Sequence, residues 1–80
     1  MKSKWNLNYL IKPGALLEET NREGKILSLH LVTSLPSKNE DFETFEMITI
    51  FSSYNSNPVK NVWTLRGANS VWNTGCLRIH

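Results

Sequence analysis

Cys76 is the only cysteine in 80 residues, so no disulfide can close within the chain. Hydrophobic runs are short, and none approaches the ~20 consecutive apolar residues that cross a bilayer as a helix. The N-terminal stretch MKSKWNLNYLIK carries bases, but Asn6 and Asn8 interrupt it where a secretory signal would hold an unbroken apolar region. No Asn-x-Ser/Thr acceptor occurs. These absences set the expectation of a cytoplasmic protein that does not engage the membrane. Glycine is sparse, and Gly14, Gly24, Gly67 and Gly75 are isolated. Neither a P-loop nor a G-x-G-x-x-G turn is therefore available to cradle phosphate.

Groups that do chemistry are equally thin. Nucleophilic catalysis needs a nucleophile, a base and a group that orients the base. The candidates are Cys76 or a serine with His30 or His80, and none lies in a motif such as G-x-S-x-G. Cys76, His80 and His30 supply three metal ligands at most, where a structural zinc takes four. The neighbouring acids Glu18/Glu19, Glu40/Asp41 and Glu43/Glu46 would point apart on a strand or turn, which suits a solvated face better than an acid–base dyad. The expectation is a non-enzymatic protein with no catalytic residues, no metal site and no cofactor.

The remaining composition is that of a folded chain. Hydrophobic residues make up 40% and charged residues 20%, which argues against wholesale disorder. Eighty residues amount to one small domain, residues 1–80, that buries roughly 60–65% of its unfolded surface. Trp5, Trp63 and Trp72 offer large anchors for its core. All seven acids fall between Glu18 and Glu46, and both ends carry only bases. If the two ends pair in one sheet, one side of the molecule is free of carboxylates.

Turn signals at Pro13-Gly14, Asn21–Gly24, Pro36–Asn39, Asn55–Pro58, Gly67–Ser70 and Asn73–Gly75 divide the chain into short segments. Several alternate with the period of a strand. Trp5, Leu7, Tyr9 and Ile11 share one face of the first. In Lys25–Thr33 the leucines 27, 29 and 31 share a face, opposite Ile26, Ser28, His30 and Val32. Ala15–Thr20 is expected to fold back on this strand as a hairpin. Val59–Arg66 and Val71–Ile79 read as a second, C-terminal hairpin around Gly67–Ser70, with Gly75 as a bulge. Ser37–Tyr54 is ambiguous: Ser37 to Glu40 fits a capping box, yet the β-branched and aromatic density of Thr44–Phe51 favours a strand over about 43–52. The fold class expected is mainly β, a small antiparallel rolled sheet or barrel of five to six short strands. The alternative is α+β, with one helix in 38–53 packed on a four- to five-stranded antiparallel sheet.

A chain of this kind works by binding. Aromatic residues interleave with bases in the acid-free parts, and Trp, Tyr and Arg are enriched where interfaces concentrate their energy. The partner-binding residues expected are Trp63, Arg66, Trp72 and Arg78 of the C-terminal hairpin, with Lys60 steering. The expected function is a protein-binding module that masks a surface on a partner protein, by analogy with the small inhibitors and accessory factors of phages and mobile elements. The alternative is single-stranded nucleic-acid binding by a small β-barrel, with bases stacked on rings and cations along the phosphates. An open sheet edge would also allow a homodimer.

Overall fold

Alternation governs the first hairpin. β1 (Leu16–Thr20) and β2 (Ile26–Val32) pair antiparallel, with Leu17 opposite His30 and Glu19 opposite Ser28. Asn21 shapes the turn between them, its Oδ1 accepting from the N–H groups of Glu23 and Lys25 at 2.9 Å each. The computed structural model describes residues 7–54 and 57–80. The expectations for Lys2, Lys4, Trp5 and the Asn55 turn position fall outside those residues.

β3 (Ser37–Asn39) turns directly into β4 (Phe42–Ser52), the longest strand, and β5 (Val59–Thr64) follows. Met47 of β4 lies opposite both Val32 and Asn61, so β2 and β5 flank it on opposite edges. Thr44 lies opposite both Ser37 and Thr64, which puts β3 on the β2 side. Helix α1 (Leu65–Asn73) then leads to β6 (Leu77–Ile79), which pairs with β1. β5 and β6 thus end up at opposite edges of one six-stranded antiparallel sheet. The mainly β expectation is met, and the sheet curls into a half-barrel.

The curl is visible in side chains. His30 on β2 and Trp63 on β5 are separated by β4, a spacing of roughly 9–10 Å in a flat sheet, yet their ring centroids lie 4.8 Å apart. A bulge contributes: Leu29 and His30 face Phe51 and Thr49, so Ile50 is an extra residue that bends β4. The concave side holds the core. Leu7, Ile11, Leu17, Val32, Phe45, Met47, Leu65, Ala68 and Leu77 are buried there, with Trp63, Val71 and Trp72 packed against them.

Two segments depart from the sequence-based expectation. Residues 7–9 form a single 3-10 turn rather than the start of a strand. Leu7, Leu10 and Ile11 pack inward at spacings of three and four, while Tyr9, expected on their face, is 83% exposed. More consequentially, 65–73 is helix, and no hairpin joins β5 to the last strand. The stripe Leu65, Ala68, Val71 and Trp72 has the period of a helix, and it packs on the core. Thr64 caps the helix, its Oγ1 accepting from the Gly67 N–H at 3.0 Å. A Cβ at Gly67 would meet that oxygen at 3.1 Å, so glycine, a weak helix former, leaves the cap room to close. Gly75 ends the helix at φ +83, donating its N–H to the Trp72 carbonyl at 3.0 Å. The helix offered by the alternative reading of 38–53 does not form, because that segment is β3 and β4.

The cap has a measurable weight. Thr64→Ala is expected to cost about 1 kcal/mol, read as a lower midpoint in urea with an unchanged transition slope. A change below about 0.3 kcal/mol would mean that packing alone holds α1.

Candidate functional site

Both faces of the sheet are apolar, and α1 covers only one of them. By register, Leu16, Leu31 and Ile48 form a row across the outer face, with Lys60 at its β5 end. Leu29 and Phe51 form the next row, bounded by Glu18 and Arg78 at the β6 end. Leu27 joins them by alternation along β2. None of these residues belongs to the core cluster. Phe51 is 46% exposed and Val62, at the β5 edge, 63%. An antiparallel sheet usually turns a polar face to water; this one presents an aliphatic centre with a charged rim.

The rim is partly compensated. Glu18 is buried on the outer side of β1, its Oε1 accepting from Arg78 Nη2 at 3.0 Å, with His80 Nε2 3.4 Å from Oε2. A side of the molecule free of carboxylates therefore does not arise, since an acid from the middle of the chain neutralises a terminal arginine. Glu18 and Glu19, adjacent in sequence, do point apart as strand geometry requires.

The inner face carries a buried polar chain. Asn61 Nδ2 can only donate, so Thr49 Oγ1 accepts from it. The Thr49 hydroxyl and His30 Nδ1 share a hydrogen bond of 2.8 Å, and His30 Nε2–H donates to Glu19 Oε1 at 3.0 Å. His30 is 3% exposed and its ring leans on Trp63, which meets Phe45 edge-on at 6.4 Å. The chain superficially resembles a nucleophile–base–carboxylate relay. Its order relative to solvent is reversed: Thr49 sits at the buried end and the Glu19 carboxylate, with 29% of its side chain exposed, at the open end.

Glu19 lines a cleft of about 410 Å³ together with Val62, Trp63 and Thr64 of β5 and Gly67, Ala68 and Val71 of α1. A second depression, about 460 Å³, lies between the turns at 21–24 and 74–76. It holds Arg22, Cys76 and Arg78, the last already committed to Glu18. Among the described residues no group of three His, Cys, Asp or Glu is arranged to hold a metal ion, and no helix is long and apolar enough to cross a membrane.

The residues expected to bind a partner are dispersed. Lys60 and Arg78 lie on the outer face at its opposite edges. Trp63 and Trp72 are half-buried against the core on the inner side, and Arg66 is exposed on α1. The outer leucine face was missed as a site, although the alternation of Leu27, Leu29 and Leu31 was its signal. The inner network had no local signal, since its members come from β1, β2, β4 and β5. No family model, curated protein or solved structure matches the chain.

Proposed function

We propose that this chain is a non-enzymatic binding module that docks on a partner protein through the outer face of its sheet and acts by covering what it binds, as an inhibitor or accessory factor does. One observation carries the proposal: a second apolar face, built from Leu16, Leu29, Leu31, Ile48 and Phe51, lies outside the core and carries no helix among the described residues. An aliphatic centre ringed by Lys60, Glu46 and the Glu18–Arg78 pair has the anatomy of a protein interface. A nucleic-acid platform needs rings for stacking, and Trp63 and Trp72 are tied into the core instead. Two copies meeting by this face would touch along a narrow strip, because both surfaces curve away, so a different protein with a groove or concave patch fits better. The lone thiol suits a reducing compartment, and we read the module as cytoplasmic.

The test is Leu29→Glu. Leu29 lies outside the core, so the variant is expected to unfold within about 1 kcal/mol of the parent. Loss of a central apolar anchor should weaken partner binding about 30-fold or more. Capture of one partner by the parent chain, abolished by Leu29→Glu and kept by Arg66→Ala, is the supporting result. Capture that survives Leu29→Glu overturns the reading. So does single-stranded oligonucleotide binding that strengthens steeply as salt falls.

A further inference from the structure

We infer that the cleft lined by β1, β5 and α1 is a binding site for an organic monocation, an alkylammonium or alkylguanidinium group, held between the Glu19 carboxylate and the Trp63 indole. Four observations converge on it. The cleft, about 410 Å³, is within the range of small-molecule sites. Its one charged lining group is Glu19, which has no lysine or arginine partner among the described residues. Behind it a chain of hydrogen bonds links Asn61, Thr49 and His30 to the carboxylate. Its last bond, from the buried His30 Nε2–H, holds Oε1 in place. Beside Thr64 and Gly67, the remaining walls are the Trp63 indole, Val62, Ala68 and Val71, which suit an alkyl stem and a cation over an aromatic face.

The geometry also explains why the site selects charge. Among the described residues the network bonds Oε1 of Glu19 alone, which leaves Oε2 for an arriving donor. A carboxylate anchored by a buried histidine loses little freedom when a cation binds, which is the advantage of a group already positioned. The helix contributes little polarity, because the Gly67 N–H facing this region is closed by Thr64 Oγ1. What α1 presents is apolar.

The experiment is a nitrogen–proton NMR titration of the intact chain with n-butylguanidinium and n-butylammonium, with n-butanol as the uncharged match. The expected result is a saturable shift of the Trp63 indole N–H and the Gly67 and Ala68 amides by the cations, at dissociation constants on the order of 1 mM, and a response to butanol at least tenfold weaker. Glu19→Gln retains an oxygen to accept from His30 and should keep the fold while weakening cation binding about tenfold or more. An Nα-acetylated arginine amide separates two sources of the same chemistry. Binding as tight as butylguanidinium identifies a protein-borne side chain, and binding tenfold weaker identifies a free small cation. No saturation by about 50 mM, an equal response to butanol, or unchanged affinity in Glu19→Gln overturns the inference. Leu29→Glu, on the opposite face, should leave the titration unaltered, so this site and the docking face fail independently.

Discussion

Phe45→Ala is expected to cost about 3–5 kcal/mol and to leave a large share of the chain unfolded at room temperature. Phe45 is 1% exposed, the largest of the fully buried side chains, and packs edge-on against Trp63 from the strand that touches both β2 and β5. Its removal empties the middle of the half-barrel, and a curled sheet with a helix laid across it has little freedom to collapse into the void. A domain of this length has a total stability of about 4–12 kcal/mol. The loss is therefore comparable with the whole. Phe45→Leu, which keeps most of the volume, should cost less than about 1.5 kcal/mol. Urea unfolding of the three proteins checks this, and a Phe45→Ala loss under 1 kcal/mol would mean that the centre of the core lies elsewhere.

Thr49→Val should rank second. The substitution preserves shape but removes the hydroxyl that accepts from Asn61 and bonds His30 Nδ1. His30 Nδ1 is left as a buried orphan at about 1–3 kcal/mol, and the half-buried Asn61 amide loses its partner as well. Thr49→Ser keeps the hydroxyl and loses one methyl, about 1 kcal/mol. The assignment of hydrogen positions is checked separately by the ring nitrogen shifts of His30, which should show the proton on Nε2 in the parent. A Thr49→Val protein as stable as the parent would refute the weight given to this hydroxyl, and a bare Nε2 would refute the bond to Glu19.

How far the sequence revealed this arrangement depends on the element. β2 was legible because its alternation is strict, and β4 because Thr44–Phe51 is rich in residues that fit a pleated surface. Alternation assigns residues to faces without saying which face is inward, and β2 has apolar residues on both. The face that went inside is the one with Ser28 and His30, since partners on β1 and β4 satisfy the histidine. The three leucines were left outward. α1 was illegible for a different reason. Gly67, Asn69 and Val71 are poor helix formers, and the sequence Gly-Ala-Asn-Ser imitates a turn. Only the Thr64 cap and the Leu65, Ala68, Trp72 spacing betray the helix, and both are weak until the core they pack on is known. The binding residues inferred from composition, Trp63, Arg66, Trp72 and Arg78, presupposed a hairpin. Once 65–73 is helical, they belong to different faces.

The pairing of β6 with β1 bears on how the chain comes off the ribosome. β1 leaves the exit tunnel early, but its outer edge is completed only by Leu77–Ile79, almost the last residues described, after α1 has crossed the inner face. For an interval on the order of seconds at ordinary elongation rates, the nascent chain holds an open strand edge and an uncovered interior. Contacts between such distant segments make closure slow by topology. A stalled or shortened product that lacks the final strand should therefore be a preferred client of chaperones and proteases, and one that strands of other chains can join.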